Sequence, residues 1–129
     1  MNPSPQTSLQ VLDTLDMFAK HLNRIDIPAA LGLLDREASF IGPGEGDFLR
    51  DADAIKGYLE RNIGCCRGLG FLDLEVGAVG TVAWVNGHFT VRTDPSKRRC
   101  RGRVSAVLKG TGHAWVIAHL HLSLPRGSP

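Results

Sequence analysis

The chain has no apolar run approaching the roughly 20 residues that cross a bilayer as a helix, so no membrane partner is expected. Its three cysteines are an adjacent pair, Cys65 and Cys66, and a distant Cys100. That odd count suggests no disulfide framework, and the missing C-x-x-C spacing argues against a metal site. Gly42-Pro43-Gly44-Glu45-Gly46 is glycine-rich but matches neither the P-loop nor the dinucleotide pattern. It reads as a plain loop, and no motif calls for a cofactor. The opening residues, Met1 to Gln6, lack the basic and apolar regions of a secretory signal, so a cytoplasmic protein is expected. Acids are scarce in the second half: residues 80–129 hold only Asp94 and carry a net +7, against −5 for residues 1–79.

With 129 residues, 43% apolar and 22% charged, the composition is that of one globular domain. A single domain over 1–129 is expected, with 1–7 and 126–129 as flexible tails. Leu9, Leu12, Leu15, Phe18, Ala19, Leu22 and Ile25 recur at helical spacing, and Thr7 or Ser8 can cap that helix. Asp26 and Pro28 open a short second helix over Ala29 to Leu34. A brief strand, Ala38 to Ile41, precedes the glycine loop. Asp51 or Asp53 then caps a third helix through Ile55, Tyr58, Leu59 and Ile63, ending near Gly64.

From Leu69 onward the pattern alternates instead. Strands are expected over Leu72–Ala78, Thr81–Arg92, Arg99–Leu108 and Ala114–Leu124, with turns at Thr93–Ser96 and Lys109–Gly112. The last three form an antiparallel meander. Helices followed by strands are an α+β order rather than an alternating one.

The run from Trp115 through His119-Leu120-His121-Leu122-Ser123 to Pro125 resembles the closing strand of SnoaL-like domains, members of the nuclear transport factor 2-like superfamily. Phe40-Ile41-Gly42 followed by Asp53-Ala54-Ile55, and then Ala83-Trp84-Val85, resemble earlier family elements in the same order. The resemblance spans residues 8–125. It implies a cone, in which N-terminal helices pack on a strongly curved antiparallel sheet around a pocket, and it implies pairing into homodimers. Members include isomerases, polyketide cyclases, epoxide hydrolases and scaffold subunits, so the fold leaves the function open.

The resemblance also implies that the position between the second histidine and the serine, here Leu122, points into the pocket. By strand parity Ala118, Leu120 and Leu122 then line it, while His119, His121 and Ser123 face outward with Trp115 and Ile117. Matching the other strands to the family by distance from their turns sends Trp84, Asn86 and His88 inward, with Arg103 and Ser105 beside them. A register error of one residue would invert every face. The expected ligand site is Tyr58, Trp84, Asn86, Arg103, Ser105, Leu120 and Leu122. His88 is the candidate general acid or base, Arg103 the anchor for a carboxylate or oxyanion, and His21 a residue near the wide end.

A filled core, with Arg103 reaching solvent, fits the same residues. His119 and His121 point the same way along a strand, but nothing selects a third metal ligand, so hydrogen-bonded outer histidines are the simpler reading. The cluster Lys97 to Arg103 has no aromatic between Phe89 and Trp115 for bases to stack on, so nucleic acid is not an expected partner. No acid is marked as catalytic by its surroundings. The expected function is binding of a small apolar or weakly anionic molecule. The alternatives are an acid–base enzyme of the isomerase, cyclase or hydrolase type, and a dimeric scaffold or regulatory subunit.

Overall fold

A computed structural model describes residues 2–92 and 98–125, with Cys65 and Cys66 by backbone only. The expected turn at Thr93–Ser96 and the tail at 126–129 lie outside the described residues. The first helix, α1 (Pro5–Asn23), begins earlier than its apolar stripe suggested. Ser4 is the cap: its hydroxyl accepts from the Thr7 amide at 3.1 Å, and Pro5 supplies a first-turn φ without losing a needed donor. The stripe Val11, Leu15, Phe18, Ala19 and Leu22 is buried. Asp26 caps α2 (Ile27–Leu31) through the Ala29 amide, as expected. Gly32 ends it early, so Leu34 starts a strand instead of finishing a helix.

The strands are β1 (Leu34–Ile41), β2 (Phe48–Leu49), β3 (Arg67–Val79), β4 (Val82–Arg92), β5 (Cys100–Gly110) and β6 (Trp115–Ser123). Helix α3 (Ala52–Asn62) and a 3-10 turn (Ile63–Cys66) separate β2 from β3. Asp51 caps α3 by accepting from the Ala54 amide at 2.8 Å. The six strands form one sheet in the order β2-β1-β6-β5-β4-β3. Strands β4 to β6 are the expected antiparallel meander and β3 extends it, but β1 joins β6 in parallel, so the sheet is mixed. Helices α1 and α3 lie across one face, and the core fills the space between: Leu15, Phe18, Ile55, Leu59, Val85, Phe89, Leu108, Ile117 and Leu120 are all buried.

The side-chain phase of each strand decides which residues meet the helices. On β4 the buried set is Ala83, Val85, Phe89 and Val91; on β5 it is Cys100, Gly102, Val104, Ala106 and Leu108. Strand β6 carries an irregularity. Val107 pairs with His119 while Leu108 pairs with Ile117, which leaves Ala118 as an extra residue. The bulge puts Trp115 and Ile117 on the inner face together with Leu120 and Leu122. The expectation that they share the outer face with the histidines is therefore corrected. Trp115 packs on the core and its indole donates to Gln10 Oε1 on α1 at 3.2 Å.

Candidate functional site

Between the concave sheet face and the helices lies a cavity of about 110 Å³. Phe18 and Leu22 of α1, Ile55, Tyr58 and Leu59 of α3, and Phe40 of β1 form one wall. Leu69, Phe89, Val91, Leu120, Leu122 and Leu124 form the other. Among the described residues only Tyr58 and Asn62 bring polar side chains to this lining. The Tyr58 ring lies tilted on Phe40, with centroids 5.2 Å apart, and its hydroxyl donates to Asp47 Oδ2 at 3.3 Å. Asp47 Oδ2 also accepts from the Gly44 amide at 2.9 Å, so the glycine loop is folded around this carboxylate. Asn62 donates to the Tyr58 carbonyl at 2.8 Å, one turn back along α3.

The family model of the SnoaL-like domain matches residues 11–127, nearly the whole chain, including the two walls of this cavity. The chain belongs to the SnoaL-like domain family. Its fold is that of solved nuclear transport factor 2-like proteins. A protein of unknown function with a cystatin-like fold from Nostoc punctiforme is 12% identical, with a TM-score of 0.87 over 100% of this chain and 98% of that one. A nuclear transport factor 2-like protein of unknown function from Pseudomonas putida is 16% identical, with a TM-score of 0.84 over 96% of this chain and 90% of its own. Another, with a cystatin-like fold, from Novosphingobium aromaticivorans is 14% identical, with a TM-score of 0.78 over 95% and 84%. At such identities the likeness shows the fold alone. None of the curated proteins matches the chain.

In this SnoaL-like domain the residues expected at the site divide between the two sheet faces. Tyr58, Leu120 and Leu122 line the cavity. Trp84, Asn86, His88, Arg103 and Ser105 do not: they alternate with the buried rows of β4 and β5 and therefore lie on the opposite, convex face. Their inward placement is corrected. Counting positions from the turns put β4 and β5 one residue out of phase, and a one-residue slip exchanges the faces of a strand. His21 is likewise absent from the cavity lining, whereas Leu22 beside it is present.

The convex face has its own polar organisation. Asp73 stands at a bulge in β3 with a left-handed φ of 54°. Its Oδ2 accepts from Arg101 at 2.8 Å and lies 4.0 Å from His88 Nδ1, beyond hydrogen-bond reach. His88 Nδ1 is sealed from solvent without a hydrogen-bond partner. At the other end of the face, His119 Nδ1 and Ser39 Oγ are hydrogen-bonded at 2.7 Å. Burial pushes the His119 imidazole below the usual histidine range, the neighbouring His121 pushes the same way, and the Ser39 bond works partly against both. Lys109 pairs with Asp35 at 2.9 Å, and that hydrogen bond holds the Asp35 carboxyl below its ordinary range. Among the described residues no three metal-capable side chains come together, and no helix is long and apolar enough to cross a membrane.

Three site residues escaped the sequence reading. Phe89 and Val91 share the parity of Ala83 and Val85, a signal that was present but interrupted by Gly87. Asp47 belongs to the cavity rim only through its bond to Tyr58, a contact across the glycine loop that no local pattern announces.

Proposed function

We propose that this SnoaL-like domain binds a small, neutral, mainly apolar molecule in the cavity between α1, α3 and the concave sheet face, as a cytoplasmic protein. The observation that carries the reading is the lining itself. Aromatic and aliphatic side chains surround an open volume of about 110 Å³, and Tyr58 and Asn62 bring the polar groups. Pockets of this kind gain affinity from apolar burial, at about 25 cal/mol per Å², and orientation from the few polar atoms. The expectation of a weakly anionic ligand rested on Arg103, and among the described residues no cationic side chain lines the cavity. Such a volume suits a ligand of few heavy atoms, with a hydroxyl or carbonyl turned toward the Tyr58 end.

The test is a thermal-shift screen of small ketones, alcohols and aromatics on wild type and on Leu122→Arg. Hits should raise the wild-type melting temperature and lose their effect in the variant, whose longer side chain occupies the cavity. If no compound shifts the wild type, or hits act equally on both proteins, the reading fails.

A second reading, acid–base catalysis in the same cavity, is favoured by the Tyr58–Asp47 hydrogen bond, which joins a carboxylate to the lining. It transfers the catalytic candidacy from His88 to that pair. Turnover of a bound ketone or ester that vanishes in Asp47→Asn, with ligand binding retained, supports it; equal turnover in both removes it. We propose also that two copies pair through the convex face, where Trp84 is half-buried and Val82 and Val107 are exposed. Light scattering reporting a monomer at micromolar concentration refutes the pairing, and with it a dimeric scaffold role.

A further inference from the structure

Away from the cavity, the ends of β3 and β4 and the approach to β5 bring three arginines together. Arg67, Arg92 and Arg99 line one depression of about 370 Å³ with Asn23 and Gly68, and among the described residues no carboxylate lines it. Arg67 and Arg92 stand directly opposite each other on paired strands. Like charges in that position repel, and here no described acid is ion-paired with any of the three.

The Arg99 guanidinium is nevertheless held in place. Arg99 donates to Thr90 Oγ1 at 3.2 Å and lies over Gly68, where an added Cβ would meet Arg99 Nη2 at 3.3 Å. Gly68 has a φ of +67°, a conformation glycine adopts freely, so the backbone bends here without a side chain to fill the space. Asn23 secures the other wall: its amide donates to the Leu69 carbonyl at 2.9 Å and its oxygen accepts from the Leu69 amide at 3.1 Å. Arg92 Nε is sealed from solvent and has no hydrogen-bond partner. A buried donor on a permanent cation left in that state is costly, and an acceptor bound in the depression removes that cost only by turning the Arg92 guanidinium toward it.

We propose that this depression is a binding site for the phosphate group of a small phosphate ester, separate from the apolar cavity. Three permanently charged forks suit a tetrahedral dianion better than a monocarboxylate, since guanidinium donates to phosphate in pairs and each cation offsets part of the charge. Neutralisation would also relieve the Arg67–Arg92 repulsion, so binding should stabilise the fold. The inference does not rest on the cavity reading, and either can fail without the other.

The experiment titrates inorganic phosphate, glycerol phosphate and acetate into the protein at matched ionic strength, reading melting temperature. At ten times the dissociation constant the phosphates should raise it by roughly 5 °C, from the mass-action relation and the usual unfolding entropy for this length. Acetate should do far less. Arg67→Met and Arg92→Met should each lose most of the phosphate shift, and Arg36→Met, an exposed residue on β1, should keep it. A wild-type shift no larger than that of chloride, or a shift retained in both site variants, overturns the proposal. Should the variants fail to fold, ³¹P line broadening of phosphate by the wild type decides: saturable broadening supports the site, and none refutes it. Flotation on vesicles that depends on added phosphatidate and on Arg92 would assign the phosphate to a lipid headgroup. Binding of glycerol phosphate without flotation assigns it to a soluble ester.

Discussion

The phase of the central strands can be tested by paired substitutions that differ only in the face they touch. Leu120 is 3% exposed and borders the cavity; Phe89 is 1% exposed and its ring covers Gly102 on the neighbouring strand. Truncating a buried leucine to alanine costs about 2–5 kcal/mol and a buried phenylalanine about 3–5 kcal/mol. Leu120 faces existing open volume on one side, so it forfeits fewer contacts, and Leu120→Ala should cost about 2–3 kcal/mol. Phe89→Ala should reach about 4 kcal/mol, because removing the buried ring leaves the larger void. On the convex face, Asn86→Ala and Ser105→Ala should stay within about 0.5 kcal/mol. At an unfolding entropy of about 2.1 cal/mol/K per residue, Leu120→Ala lowers the melting temperature by roughly 7–11 °C and the two convex variants by about 2 °C or less. Urea denaturation, with unchanged slope, provides the free energies. If Asn86→Ala or Ser105→Ala destabilises as much as Leu120→Ala, the strands are phased the other way and the cavity residues are wrong.

Two further outcomes follow from single residues. Ile25 closes α1 with a left-handed φ of 59° while 57% exposed, so its β-branched side chain carries strain and little packing; Ile25→Gly should stabilise the protein by about 1 kcal/mol, read by the same denaturation. His119 titrates below its unfolded value of 6.5. Its contribution is thus fully present above that pH and is lost as pH falls toward the folded value, where the unfolded chain binds the proton first. A stability–pH profile should therefore decline on acidification below about 6.5, and less so in His119→Gln; an unchanged slope in the variant counts against the assignment.

Much of the fold was legible because local chemistry and tertiary demand agreed. The α1 stripe, the Asp26 and Asp51 caps and the alternation from residue 69 onward each marked an element that exists. The parallel pairing of β1 with β6 was not legible, since it joins Ser39 to His119 across 80 positions and leaves no local trace. The site was half legible. Tyr58, Leu120 and Leu122 follow from periodicity and the closing motif, whereas β4 and β5 were phased by analogy when their own composition gave the answer. The row Cys100, Gly102, Val104, Ala106 and Leu108 is uniformly small or apolar, and Arg101, Arg103 and Lys109 alternate with it. Trp84 is sent inward by the same match to the family, yet its ring lies on the backbone of Gly77 on the convex side.

The extra residue at Ala118 makes β6 a strand of two frames. Upstream of it the odd-numbered positions, Trp115 and Ile117, meet the helices; downstream the even-numbered ones, Leu120 and Leu122, do so. Loss of that one alanine would merge the frames, because Ile117 inward, His119 outward and Leu120 inward then alternate without a break. Pairing Ala118 regularly into the ladder would instead turn the histidines onto the helices, or Trp115 and Ile117 away from them. A substitution at 118 changes one partly buried methyl, but straightening the bulge with the alanine retained rewrites the address of every side chain on one side of it, which makes the bulge a stricter constraint than the composition of the strand.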